Sequence, residues 1–327
     1  MREYNACTEE INKNNPVEHI LLYMPNGLFD LEDKLLIGNS IHRSDEALNA
    51  LYQAMRDLYD NNYQVFGNYK RRYGKSFMTA VDKLIEDLTE FKVEGEWYYD
   101  NEMRFSITHT IASTLHMICK QPVNANFFEN ISRRDKFSDN ITRYAFPTET
   151  MFYQAASSFI REFFSMAQGN NQGVLLLDHL IIPHNVFRLP RYLDDNELKV
   201  IIVDRDPRDV YVDIRRRQNM DRKAPPIPVE PKDYVRFWKA LRESERLVQL
   251  PNQVLRIQYE DLFYKYEKTI SLIEKFCGLT SDQHTYPGRF FDPSVSNTYL
   301  NQYKTDKKWN ANIKYIENNL QEYLYNA

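Results

Sequence analysis

Glycine is scarce in this chain, nine in 327 residues, which argues against a glycine-rich or barrel-like all-β design. Cysteine is scarcer still. Cys7, Cys119 and Cys277 lack metal-ligand spacing and suit buried or inert thiols in a reducing compartment. An excess of positive charge is also missing: 42 Lys and Arg stand against 46 Asp and Glu, a formal net charge of −4. That excludes a general nucleic-acid coat, so any anion site must be a local cluster. No apolar run approaches the roughly 18 residues of a membrane span. The opening MREYNACTEEINKNN has no apolar core for a secretory signal. Repeats and low-complexity linkers are absent too. These absences predict a soluble, cytoplasmic protein that neither binds nucleic acid nor spans a membrane.

What is present can build a sizeable core: 43% of the residues are hydrophobic and 14% aromatic. The 23 tyrosines are expected in ordinary core and rim rather than in a carbohydrate-stacking surface. Helical spacing dominates the first half. Ser44-Asp45-Glu46 can cap a helix through ALNALYQAMRDLYD, where Leu48, Leu51, Met55 and Leu58 recur on one face. A second helix is predicted over SFMTAVDKLIEDLTEF and a third from about Thr148 to Gln168.

The pattern then changes. GVLLLDHL (Gly173 to Leu180), KVIIV (Lys199 to Val203) and NQVLRIQYEDL (Asn252 to Leu262) read as strands. Between the last two, PKDYVRFWKALRESERLVQL reads as a helix with proline near its start. After them, YEKTISLIEKFCGL puts Ile270, Ile273 and Phe276 on one face and ends in Gly278, a natural helix stop. Strands alternating with helices predict an α/β fold with a parallel sheet, whose ligands bind beyond the carboxyl ends of the strands. The expectation is one domain over 1–327, mostly helical in 1–170 and sheet-bearing in 171–327.

The most legible stretch is KVIIVDRDPRDVYVDIRRR, with five arginines between Arg205 and Arg217. Arg205 emerges at the carboxyl end of a strand, Asp206 suits a helix N-cap, and Pro207 suits the first helical position. An arginine fork beside a helix start makes a phosphate site. The charge pattern alone fits equally a surface helix whose arginines pair with Asp204, Asp206, Asp209 and Asp213.

Together with VLRIQYEDLFYKYEKTISLIEKFCGL and LLLDHLIIP, this stretch resembles the sulfotransferase family, which uses 3′-phosphoadenosine-5′-phosphosulfate. The clear resemblance runs from about Gly173 to Leu279. It implies a P-loop NTPase-like parallel sheet and sulfuryl transfer to a hydroxyl acceptor, with Arg205 on the donor's 3′-phosphate. The family places a serine eight residues after that arginine, where this chain has Asp213. A carboxylate there cannot simply inherit phosphate binding, and it can instead orient an arginine. The same resemblance places His179 as general base, although the family lysine two residues earlier is Leu177. His184 is the rival base. YKTDKKWNANI is similar to the cofactor-covering loop, which implies roles for Lys304 and Trp309. LYMPNGLFDLEDKLL and EDLTEF are similar to bacterial polysaccharide-type members, which implies a carbohydrate acceptor. The chemistry requires no metal.

Two features stand against a simple assignment. The family's loop for the 5′-phosphosulfate is not found. MREYNACTEEI reads like the end of the helix that follows such a loop. A start downstream of the loop is expected over loss of the loop, and either leaves the chain as given a poor or inactive enzyme. Gly74-Lys75-Ser76 does not replace the loop, because Walker A spacing needs glycine where Tyr69 stands, and no strand precedes it. It reads as a helix start. A non-catalytic nucleotide-binding or interaction protein on the same fold is therefore the alternative, and a P-loop kinase a third. His109, His116 and Cys119 share a predicted helix but lack a fourth metal ligand, so structural roles are expected for them.

Overall fold

In a computed structural model of the protein, the described residues are 22, 24–38, 43–61, 67–95, 141–168, 182–193, 198–220, 227–245 and 252–326. They fall in two compact units, one within 10–180 and one within 181–327. The predicted strand at Gly173 to Leu180 with His179, the segment of His109, His116 and Cys119, and Cys7 lie outside the described residues.

In the first unit, α1 (Ser44–Asp60) and α2 (Lys75–Leu88) follow the apolar spacing of the sequence. Leu48, Leu51, Met55 and Leu58 of α1 are all buried, as are Phe77, Val81, Leu84, Ile85 and Leu88 of α2. Ser44 is the first helical residue rather than the cap, and its Oγ accepts the Ala145 N–H at 2.9 Å. Two short strands, β1 (Phe91–Glu94) and β2 (Ile141–Tyr144), pair antiparallel. Next, α3 (Glu149–Gln168) starts where Thr148 Oγ1 accepts the Met151 N–H at 3.3 Å. Phe77 of α2 meets Phe163 of α3 edge-on at 5.9 Å and Tyr69 at 4.8 Å, an aromatic core whose edge-to-face contacts satisfy the ring quadrupoles.

GKS opens α2. Gly74 has φ 61 and ψ −154, a conformation essentially reserved for glycine, and the short helix Tyr69–Tyr73 precedes it. A P-loop would have a strand there.

In the second unit, β3 (Val200–Asp204) is followed by α4 (Pro207–Met220) and α5 (Pro231–Glu243) before β4 (Val254–Gln258). β3 and β4 run parallel, in register from Val200 opposite Val254 to Asp204 opposite Gln258. Ile202 is buried with Val186, while Val203 on the other face is half exposed. The described elements thus cover one side of this run. After β4 come α6 (Tyr266–Cys277) and α7 (Asn310–Asn319). Gly278 ends α6 at φ 68, ψ 28, the left-handed conformation that its sequence position predicts. Tyr211, Val212 and Ile214 of α4 pack with Tyr234 and Val235 of α5 and with Ile313, Ile316 and Leu320, the core that fixes α4 in place.

Candidate functional site

The turn from β3 into α4 is over-determined. Tyr259 donates its N–H to the Asp204 carbonyl at 2.6 Å, which extends the β3–β4 pairing to the last residue of β3. Arg205 follows. The Asp206 carbonyl accepts the first helical N–H, from Val210, at 3.1 Å, and its Oδ1 accepts the Arg208 N–H at 2.8 Å. Asp206 is therefore the N-cap and Pro207 the first helical residue, as the sequence predicts. The Asp206 N–H donates to Oε1 of Glu260, just past β4, at 2.8 Å. Glu260 is 3% exposed and its other oxygen has no partner among the described residues. Burial pushes its carboxyl up from the usual range, against the pull of that N–H.

Arg205 sits at the mouth of this turn. Its Nη2 donates to the Tyr299 carbonyl at 2.7 Å, and its guanidinium lies 5.4 Å from the Tyr259 ring centroid. Its Nη1 is 3.8 Å from Asp213 Oδ2, which also pairs with Arg217 at 3.1 Å. Its Nε is buried and has no hydrogen-bond partner among the described residues. A partly exposed guanidinium at the carboxyl end of a parallel strand, beside a helix start, is a candidate anion ligand. Asp213 thus stands between two arginines.

A strap from Thr298 to Asp306 crosses the face of α4 that carries Asp209 and Arg216. Asp209, 1% exposed, accepts the N–H of Asn301 at 2.8 Å and of Tyr303 at 3.2 Å. Arg216 donates to Gln302 Oε1 at 2.6 Å and to Asp306 at 3.2 Å. Burial pushes the Asp209 carboxyl up, opposed by those two N–H groups and by the charge of Arg205. Arg208 binds Asp206 through Nε and Nη2, at 2.9 and 2.6 Å, and Glu317 at 2.6 Å. It also stacks 4.0 Å over Tyr303, whose phenol burial pushes up to about 12. The expected pairing of arginines with Asp206 and Asp213 is therefore present.

Of the predicted site residues, Arg205 and Asp213 are in contact. Lys304 rides on the strap, exposed, its ammonium 5.5 Å from the Tyr303 ring. Trp309 is half-buried against the α4 core and takes the Arg215 guanidinium at 4.1 Å. His184 opens a 3-10 helix, Pro183–Arg191, half-buried. His179 lies outside the described residues. Sequence reasoning missed Tyr299, Asn301 and Tyr303, which act through backbone atoms and leave no side-chain signature. The sequence offered Asp209 only as a partner for arginines, whereas its oxygens accept backbone N–H groups of the strap.

The family model described as sulfotransferase domain matches residues 112–323. That span takes in His179, Arg205, Asp213, Lys304 and Trp309, and it extends in both directions beyond the segment from Gly173 to Leu279. No curated protein and no solved structure matches the chain.

Proposed function

This chain belongs to the sulfotransferase domain family and is a sulfuryl-transferring enzyme, and from that premise we propose that its donor is 3′-phosphoadenosine-5′-phosphosulfate and its acceptor a carbohydrate hydroxyl. The observation that carries the donor reading is Arg205. It leaves the carboxyl end of a parallel strand, where such sheets hold their ligands, with its guanidinium partly exposed. The residues present suit a 3′-phosphate: the partly exposed fork of Arg205 supplies the donors, and Arg215, Arg216 and Arg217 add positive potential along α4. Asp213 lies against Arg205 and does not hold the phosphate; as a carboxylate it opposes the anion. Lys304 contributes charge from the strap, and Trp309, held by Arg215, borders the nucleotide.

When bound, the donor supplies a sulfuryl group activated by a phosphate leaving group. His179 would take the proton of the acceptor hydroxyl, a task for which an unperturbed imidazole is suited near neutral pH. The reading treats 1–327 as one P-loop-like sulfotransferase domain, helical over 1–170 and sheet-bearing over 171–327. It places the protein in the cytoplasm, in line with its three lone cysteines. No helix among the described residues is long and apolar enough to cross a membrane.

The test is an acceptor-dependence assay. The protein is incubated with the donor and a panel of polysaccharides, and 3′,5′-bisphosphoadenosine release is followed. Release that rises with a polysaccharide bearing free hydroxyls supports the reading. Release with a phenolic or steroid hydroxyl and none with carbohydrate overturns the acceptor class.

A further inference from the structure

An acidic side chain in the first turn of a helix ordinarily serves the helix itself, through the dipole or by reaching back to the N-cap N–H. Asp209, the third residue of α4, does neither of the usual reaching tasks. The N-cap N–H, that of Asp206, is already taken by Glu260. The Asp209 oxygens go instead to backbone N–H groups 92 and 94 residues further along the chain, those of Asn301 and Tyr303. A carboxylate that is 1% exposed is held in place only if its oxygens are bonded, and these two bonds do that.

The strap pays for its shape at one point. Asn301 adopts φ 52, the left-handed conformation that asparagine tolerates better than other non-glycine residues. A left-handed residue followed by helical ones turns successive N–H groups toward a common anion, and here that anion is Asp209. Two residues before Asn301, the Tyr299 carbonyl lies on Arg205 Nη2 at 2.7 Å. Arg205, Asp209 and Arg216 each hold one part of the same strap.

We propose that Asp209 is a positioning residue for Arg205: it clamps the Asn301–Tyr303 backbone, which seats the Tyr299 carbonyl on one edge of the guanidinium and so fixes how the open part of the fork meets the donor's 3′-phosphate. The inference rests on the reading of Arg205 as the 3′-phosphate ligand. Release of the clamp removes the carbonyl that fixes one Nη, and the guanidinium then turns freely between Asp213 and the nucleotide. The effect falls chiefly on the 3′-phosphate, because the Tyr299 carbonyl of the strap bonds Arg205 directly.

The experiment compares calorimetric affinities for 3′,5′-bisphosphoadenosine and for adenosine 5′-phosphate, which lacks the 3′-phosphate. In the unaltered protein the bisphosphate binds more tightly. Asp209→Asn keeps one acceptor oxygen and places an NH₂ against the second N–H, and it should reduce that preference about tenfold through the bisphosphate alone. Asp209→Ala should reduce it further. Arg205→Ala should abolish the preference. If Arg205→Ala leaves the preference intact, the donor reading fails and the inference with it. If Arg205→Ala abolishes the preference while both Asp209 variants keep it, the donor reading stands and the clamp is refuted. Equal loss for both nucleotides in Asp209→Asn means a general structural role and also refutes it. Should the Asp209 variants not fold, Asn301→Ala decides: it leaves Asp209 intact but disfavours the left-handed backbone. The same selective loss supports the clamp, and an unchanged preference overturns it.

Discussion

Asp213 Oδ2 lies 3.8 Å from Nη1 of Arg205, at the position where the sulfotransferase pattern carries a serine. A carboxylate so close to a phosphate ligand opposes the anion, and a few ångströms further from the phosphate it still acts at ordinary protein dielectric. Asp213→Ser should therefore tighten 3′,5′-bisphosphoadenosine binding about tenfold. Isothermal titration checks this. Weaker binding in the variant would mean that Asp213 orients Arg205 more than it repels the ligand.

Glu260 holds the Asp206 N–H while its second oxygen stays unpartnered and buried. Glu260→Ala leaves that N–H unsatisfied and should destabilise the protein by about 2 kcal/mol. The pH dependence has a definite sign. The folded-state carboxyl titrates above its ordinary value, so the folded state holds the proton longer than the unfolded one. This group's contribution then favours folding below the ordinary carboxylate range and is lost as pH rises through the raised value. Glu260→Gln should flatten that part of the stability–pH curve, read by urea denaturation between acid and neutral pH. An unchanged slope would place the titration elsewhere.

Gly74-Lys75-Ser76 is a helix start, so its lysine has no phosphate to hold. Lys75→Ala should leave nucleotide affinity unchanged. Gly74→Ala should lower stability by about 2 kcal/mol, because φ 61 with ψ −154 is closed to a residue bearing a Cβ. A fall in nucleotide affinity for Lys75→Ala, with the fold intact, would revive a P-loop reading.

Asp204 ends β3 with both oxygens on cations, Arg242 at 2.6 Å and Arg256 at 3.1 Å, and both arginines also pair with Glu245. Asp204→Ala removes a buried carboxylate shared by the half-buried Arg242 and the exposed Arg256, both of which keep Glu245, and should destabilise by about 2 kcal/mol. The exposed pair of Arg236 and Asp233, 3.7 Å apart, offers the contrast: Arg236→Ala should change stability by less than about 0.5 kcal/mol. Thermal shifts of equal size in the two variants would contradict the burial argument.

How much of this could be read from sequence follows from how local each signal is. Asp206-Pro207 and Gly278 announce the start of α4 and the end of α6, because capping is settled within a few residues. The parallel pairing of β3 with β4 follows from two apolar runs separated by helical spacing. β1 and β2 gave no such signal: four-residue strands 47 residues apart at their nearest paired ends, with no buried face, carry no periodicity. Arg205 was legible by its place after a strand. The strap was not, since Tyr299, Asn301 and Tyr303 contribute a carbonyl and two N–H groups that any residue possesses.

The central claim is that Arg205 binds the 3′-phosphate of the donor nucleotide, and titration of the unaltered protein and of Arg205→Ala with 3′,5′-bisphosphoadenosine tests it most directly. The account predicts that the variant keeps its melting transition and binds about 2 kcal/mol more weakly, roughly 30-fold, as expected for a lost charge-assisted contact. Equal affinity in a folded Arg205→Ala protein would contradict it.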